Sequence, residues 1–352
     1  MLEQAITRTR PEIASPLRAA TRPRPRVASP VRPAARAALL SVATQLPSGR
    51  LTTAELAPRL GVTEDWIISR TGVRERPIAA PDERLSDFAA RAGAIALQRA
   101  ELEPGDLDLV LAATMTQDEL SPNTAPLVAH QLGARHAGAI DLGAACTAFL
   151  SGIALGAAQI ESGRARNVLL IGADFVSRLT DWDDKRTAPL FGDAAAAAVL
   201  APAAGEYGAV GPIVLGSDGS GAATIQISHD DRKLRMDGPE VYRHAVARMI
   251  ESTLAAVDQA GLTLDQIDLF VYHQANARIV RALGDRLSLA PERVVNCIER
   301  LGNSSAATVP LALAAAQRDG RLRPGARVLL CAFGAGFTWG AGVIEWGGAG
   351  GA

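Results

Sequence analysis

One pattern occurs twice in this chain, and it narrows the possible folds more than any other feature. From Ala90 to Thr114 a helical stretch leads into Glu-Leu-Glu-Pro-Gly-Asp-Leu-Asp-Leu-Val-Leu-Ala-Ala-Thr; from Ala247 to His273 another leads into Gly-Leu-Thr-Leu-Asp-Gln-Ile-Asp-Leu-Phe-Val-Tyr-His. A second pair sets Ala157-Ala158-Gln159, Gly163-Arg164 and the strand-like run 167–173 against Ala315-Ala316-Gln317, Gly320-Arg321 and the run 327–332. Strand and helix patterns that alternate give an α/β fold with buried sheets, and their repetition gives two similar halves packed about a pseudo-twofold axis. The halves are expected over 37–205 and 206–347. Moving by 158 residues, from Ala157 to Ala315, carries Cys146 onto Ser304, beside Asn303. Two equivalent helices, each with a polar residue at its start, are therefore expected to meet at the centre of the molecule.

Cys146 stands in Asp-Leu-Gly-Ala-Ala-Cys-Thr-Ala-Phe-Leu, where a strand-like run stops and a helix-compatible one begins. Free N–H groups and the positive end of the helix dipole stabilise a thiolate there, so its pKa is expected to fall below about 8.5. Taken alone, the residue reads as well as a small buried hydrophobe. Its two companions, Cys297 and Cys331, offer neither paired spacing nor a Cys-x-x-Cys, which argues against disulfides and a metal site and for a reducing cytoplasm. The longest apolar stretch, 194–204, falls short of the ~18 residues of a membrane span. With 36 basic against 37 acidic residues, nucleic acid is not an expected partner. The exception is local: residues 1–36 hold eight Arg and six Pro against Glu3 and Glu12, and read as a disordered basic arm without the apolar core of a secretory signal. Residues 348–352 read as a flexible tail.

Six motifs follow in order: Asp65-Trp66-Ile67 with Arg70-Thr71-Gly72-Val73-Arg74-Glu75-Arg76; Ala144-Ala145-Cys146-Thr147-Ala148-Phe149; Leu190-Phe191-Gly192-Asp193; His273-Gln274-Ala275-Asn276; Gly302-Asn303-Ser304-Ser305-Ala306; and Phe333-Gly334-Ala335-Gly336-Phe337-Thr338-Trp339-Gly340. On these the chain from about Ala37 to Trp346 resembles the β-ketoacyl-acyl carrier protein synthase III enzymes of the thiolase superfamily. The resemblance implies a thiolase-like fold, two pseudo-symmetric α/β halves forming a layered α-β-α-β-α core. It also implies decarboxylative Claisen condensation of an acyl-CoA starter with malonyl-acyl carrier protein through an acyl-cysteine, opening fatty acid or polyketide chains. No cofactor and no metal are implied; acyl-CoA and malonyl-acyl carrier protein are the substrates.

The family's catalytic triad falls on Cys146, His273 and Asn303. Alone, His273 reads as a core histidine and Asn303 as a helix cap. Cys146 would carry the acyl group, while His273 and Asn303 would donate hydrogen bonds to the enolate left by CO2 loss. The implied oxyanion donors are the backbone N–H groups of Cys146 and Ala335. Coenzyme A binding maps to Trp66, Arg70 and Asn276, with Lys185 and then Arg186 where relatives carry an arginine; Gly238-Pro239 replaces the usual Gly-Asn. In the loop Gln117–Ala125, Leu120 and Ser121 fall on the segment that caps the partner's acyl pocket in a homodimer. Ser121 stands where acetyl-preferring members have Phe, so a branched or longer starter is expected. Arg243, Arg278 and Arg286, with Arg281 one turn from Arg278, match the docking patch for an acidic carrier protein. Ala194 and Ala196, where glycines are usual, point to a starter-priming member of a specialised pathway. Two other readings stay open: an acyltransferase of the same type that serves an alcohol or amine without decarboxylation, and a silent ketosynthase-like dimer partner.

Overall fold

The structure, a computed structural model, describes residues 35–203 and 208–347. The basic arm apart from Ala35 and Arg36, the tail 348–352, and the expected boundary at 205 and 206 lie outside the described residues. The chain opens with β1 (Ala37–Gln45), then β2 (Arg50–Thr52), α1 (Thr53–Arg59), α2 (Glu64–Thr71) and β3 (Glu75–Pro77). It continues through α3 (Leu85–Arg99), β4 (Leu109–Ala113), α4 (Thr124–Leu132), β5 (Gly138–Leu142), α5 (Ala148–Glu161), β6 (Val168–Phe175) and β7 (Asp193–Pro202). Then come β8 (Val210–Ser217), β9 (Ile225–Ile227), β10 (Leu234–Met236), α6 (Gly238–Gln259), β11 (Leu269–Tyr272) and α7 (Ala277–Arg286). The chain closes with α8 (Ile298–Leu301), α9 (Thr308–Arg318), β12 (Arg327–Gly334) and β13 (Thr338–Glu345).

Two mixed sheets result, ordered β1-β7-β6-β4-β5 and β8-β13-β12-β11. In each, the parallel pair sits together (β4 with β6, β11 with β12) and the return strand runs antiparallel to it. Strand β5 has only a single bridge, Phe270 to Val294, as its counterpart in the second sheet. Period-2 alternation then decides the layers. Val168 and Leu170 of β6, with Val328, Leu330 and Ala332 of β12, share one core with Phe149, Leu150 and Ile153 of α5 and Val309, Ala312 and Leu313 of α9. The intervening Leu169 and Ile171 face Phe88 and Ala92 of α3 and Val128 of α4. Leu329 and Cys331 face Val246 and Met249 of α6 and Ile279 and Leu283 of α7. The central helices α5 and α9 are apolar because sheets cover them on both sides. Each large side chain buried there contributes about 1.5–3 kcal/mol. The order of layers is α-β-α-β-α, the thiolase-like arrangement.

The repeat register differs from the one expected. In space the halves are 160 residues apart: the 3-10 turn at Pro104 returns at Leu264, β4 from Leu109 returns as β11 from Leu269, and α5 from Ala148 as α9 from Thr308. The ends of the central helices depart, because α9 has 11 residues where α5 has 14. The alanine motif behind the spacing of 158 lies in this shortened stretch. Cys146 therefore has Ala306 as its counterpart, not Ser304, and the expectation of a polar residue there is corrected.

Candidate active site

Between β5 and α5 the backbone makes one tight turn. Ala145 is left-handed (φ 46), Thr147 N–H donates to Ala144 O at 3.1 Å, and Cys146 stands between them. The Thr147 and Thr338 hydroxyls pair at 2.8 Å, which ties this turn to the loop that carries Ala335. Cys146 keeps some exposure, and it lines a cavity of about 560 Å3. Burial pushes its thiol up to about 12; the Ser305 hydroxyl and the residue's own N–H pull it down, and the Asp174 charge raises it. The expected fall below the ordinary thiol value is thus corrected: desolvation outweighs the hydrogen bonds that favour the thiolate.

His273 follows β11 directly. Its N–H donates to Cys331 O at 2.8 Å, its ring Nδ1 lies 2.5 Å from Thr308 Oγ1, and burial lowers its pKa to about 3, so the imidazole is neutral. Asn303 is clamped by its backbone: its N–H donates to Leu190 O at 2.8 Å and its carbonyl accepts from Gly192 N–H at 3.1 Å. Its Oδ1 accepts from Ser305 N–H at 2.8 Å, which leaves the amide Nδ2–H2 as the group offered to the cavity.

Cys146, His273, Asn303 and Ala335 all line that one cavity, although they come from four separate segments. Its apolar wall holds Met115, Leu190, Phe191, Ile227, Leu234 and Met236. Trp66, Arg70, Lys185, Arg186, Asn276 and Arg278 also line it. Arg70 stacks on the half-buried Trp66 ring at 4.3 Å. Arg186 is paired with Asp184 at 3.0 Å, whereas exposed Lys185 has no ion pair among the described residues. Asn276 is already engaged: its Oδ1 accepts from Arg278 N–H at 2.8 Å, capping α7, and its Nδ2 donates to Arg70 O at 3.0 Å.

Other expected residues lie elsewhere. Leu120 is 84% exposed and Ser121 is exposed, and neither lines the cavity. Their loop is held by Asp118, which accepts from Leu85 N–H at 2.8 Å and Ser86 N–H at 3.0 Å. Arg243, paired with Glu240, Arg278, stacked on Tyr242 at 5.6 Å, and Arg286 are all exposed. Only Arg278 of the three reaches the cavity. Among the described residues, no cluster of His, Cys, Asp and Glu is placed to hold a metal, and no helix is long and apolar enough to cross a membrane. Sequence reasoning missed Asp174, Ser305 and Thr308. The available signal was a lone acid near the end of an eight-residue strand that is buried throughout.

Two family models match the chain, 3-oxoacyl-[acyl-carrier-protein] synthase III over residues 140–231 and the C-terminal part of the same family over 257–346. A β-ketoacyl-[acyl-carrier-protein] synthase III from Listeria welshimeri is 40% identical over 311 residues, covering 88% of this chain and 99% of the relative. The crystal structure of 3-oxoacyl-(acyl carrier protein) synthase III from Pseudomonas aeruginosa matches with TM-score 0.85 and 41% identity, over 89% of this chain and 98% of that one. The priming β-ketosynthase of the R1128 polyketide pathway matches with TM-score 0.86 and 35% identity, over 91% and 98%. The first family segment spans Cys146 and the second spans His273 and Asn303. With both halves matched and identity sustained over almost the whole described chain, this protein belongs to the β-ketoacyl-acyl carrier protein synthase III family of acyltransferases.

Proposed function

We propose that this enzyme opens fatty acid or polyketide chains by condensing an acyl-CoA with malonyl-acyl carrier protein, with Cys146 as the nucleophile. The observation that carries the reading is the convergence of Cys146, His273 and Asn303 on one cavity whose lining also includes Trp66 and four cations, Arg70, Lys185, Arg186 and Arg278. Indole and guanidinium suit an adenine ring, and Lys185, which has no ion pair among the described residues, suits a phosphate. The sulfur attacks the thioester carbonyl, and the tetrahedral oxyanion takes hydrogen bonds from the N–H groups of Cys146 and Ala335. Coenzyme A leaves, and malonyl-acyl carrier protein enters.

Loss of CO2 then leaves an enolate, for which two neutral donors are needed. Asn303 supplies its Nδ2–H. His273 supplies Nε2–H in the tautomer whose bare Nδ1 accepts from Thr308 Oγ1–H, a tautomer that needs this hydroxyl to turn from the Ser305 carbonyl, 3.1 Å away, to the ring. The enolate carbon attacks the acyl-Cys146 carbonyl and releases the thiol. The apolar wall of Met115, Leu190, Phe191, Ile227, Leu234 and Met236 supports a branched or longer starter. An exposed Leu120 and an edge strand with Ile140 52% exposed support a homodimer in which this loop reaches the partner's pocket. Arg243, Arg278 and Arg286 support docking of an acidic carrier protein, and three free thiols suit the cytoplasm.

Intact-mass measurement after exposure to acetyl-, butyryl-, isobutyryl- and longer CoA thioesters tests this directly. A single acyl adduct is expected, fastest with four carbons or more, absent in Cys146→Ala, and discharged with CO2 on addition of malonyl-acyl carrier protein. An adduct that survives Cys146→Ala sinks the mechanism, and a strong preference for acetyl-CoA sinks the starter assignment.

A further inference from the structure

Next to Cys146 lies a carboxylate that the reaction as described leaves idle. Asp174, at the end of β6, is 0% exposed and forms no ion pair among the described residues. Its Oδ1 is crowded, accepting from Met115 N–H at 2.8 Å, Thr116 Oγ1 at 3.0 Å and Thr114 Oγ1 at 3.1 Å. Its Oδ2 accepts only from Ala306 N–H, at 3.1 Å, so one acceptor direction stays open. The residue before Ala306 is Ser305, 1% exposed, which lines the cavity together with Cys146. Its hydroxyl is buried and makes no hydrogen bond in this geometry, and it sits on the turn whose next N–H Asp174 accepts and beside the cavity that Cys146 lines, so it lowers the pKa of both groups. A buried donor without a partner, set between two anion-forming groups, is costly unless it is used.

We propose that Ser305 and Asp174 form a proton-transfer arm for Cys146: as the sulfur attacks acyl-CoA, the thiol proton passes to Ser305 Oγ and the Ser305 hydroxyl proton passes to Asp174 Oδ2. The electron pair of the S–H bond forms the new S–C bond, the tetrahedral intermediate expels coenzyme A as thiolate, and the negative charge that began on Asp174 departs with it. When condensation later frees the Cys146 sulfur, the proton returns by the same route. The arm and the reacting atoms together never carry more than one negative charge. That matters because burial already pushes the thiol to about 12 and raises Asp174, and charge on Asp174 raises the thiol further. The other titratable group that the packed elements bring to this turn is His273, and a base whose pKa burial has lowered to about 3 cannot hold the proton. Cys331 of β12 points the other way, toward Met249 O.

Ser305→Ala tests the arm without disturbing the backbone, since Ala145 holds the same left-handed turn in the other half (φ 46 against 52). Ser305→Gly is a second variant that tolerates this φ. The readouts are the rate of acyl-adduct formation from pH 7 to 9, by intact mass, and the rate of CO2 release from malonyl-acyl carrier protein by enzyme acylated beforehand. Acylation at pH 7 is expected to fall about tenfold or more, with the deficit shrinking toward pH 9 as hydroxide replaces the arm, while CO2 release changes less than about threefold. Unchanged acylation, a deficit that is constant with pH, or equal slowing of both steps overturns the proposal. It rests on Cys146 as the acylated residue: failure of the unsubstituted enzyme to acylate would refute that reading, whereas normal acylation by Ser305→Ala would refute only the arm.

Discussion

The two twin turns, Ala145-Cys146-Thr147 and Ser305-Ala306-Ala307, share a backbone and differ in what faces them. Each begins left-handed, closes on a hydrogen bond of 3.1 Å (Thr147 N–H to Ala144 O, Ala307 N–H to Ser304 O) and runs into a central helix. Across from the second, the Asp174 carboxylate accepts from Ala306 N–H. The counterpart of Asp174 at the spacing of 160 is Gly334, which faces the first turn with no side chain at all. One turn is sealed by a carboxylate and the other is left open to the cavity. The pseudo-symmetry thus supplies a rigid frame twice, and the residues to which the proposed mechanism gives a role stand where the halves disagree: Cys146 against Ala306, His273 against Ala113, Ser305 against Ala145, Thr308 against Ala148.

The strongest way to break this contrast is to give the open turn a side chain. A Cβ at Gly334 would lie 2.9 Å from Cys146 N, closer than real contacts permit, and 3.3 Å from Thr147 N, a tight contact. Gly334→Ala is therefore expected to shift the Cys146 N–H out of the oxyanion position and to slow acylation about 100- to 1000-fold, the usual loss for one oxyanion donor. Stopped acyl-transfer assays with a circular-dichroism melt on the same sample check it; acylation within threefold of the parent would mean that Gly334 is not what keeps the turn open.

Next in size is His273→Ala, which copies Ala113 of the other half. In the folded protein His273 stays neutral down to about pH 3, whereas an unfolded histidine takes a proton below about 6.5. The unfolded state binds more protons in this window, so stability falls as pH drops from 6.5 toward 3. Asp193 acts in the opposite sense: burial lifts it to about 6, so it favours the fold as pH falls from 6 toward the ordinary carboxylate value. Comparing parent and variant isolates the histidine. Urea unfolding is expected to show the variant less stable at pH 7, from the lost Thr308 contact, with the gap narrowing by about 2 kcal/mol at pH 4.5. A gap that does not change with pH would show that His273 is not held neutral.

Much of this frame is legible in the residues themselves. The alternation of Val168, Leu170 with Leu169, Ile171 tells which sheet face meets which helix layer, and the motifs around Cys146, His273, Asn303, Trp66 and Lys185 name residues that the fold gathers from distant segments into one cavity. What escaped has physical causes. An alanine-rich helix slides along itself with little change in pattern, so the shortening of α9 was invisible and the repeat was set two residues out of register at Cys146. The strand-like run was closed at Ala173, one residue before Asp174, because an unpaired acid reads as a strand end. Only the structure shows four donors converging on it. The thiol's pKa was misjudged for a related reason: a helix N-terminus is visible locally, but burial by the opposite half is not.

The register error itself gives the smallest and most discriminating effect. Ser304 and Ser305 are adjacent, both almost wholly buried, and each hydroxyl lacks a partner. They differ in that Ser305 lines the cavity and Ser304 does not. Were the spacing of 158 the true one, Ser304 would be the counterpart of Cys146 and its removal would disturb the centre of the site. At the spacing of 160 it pairs with Ala144, an alanine, and its hydroxyl only bears a desolvation cost. Ser304→Ala is thus expected to leave acylation and condensation within about twofold and to raise stability by up to about 1 kcal/mol, because an unsatisfied buried hydroxyl is removed at little loss of volume. Denaturant titration beside a two-step turnover assay checks this: a tenfold loss of either step in Ser304→Ala would show that its hydroxyl serves the site despite standing outside the cavity lining.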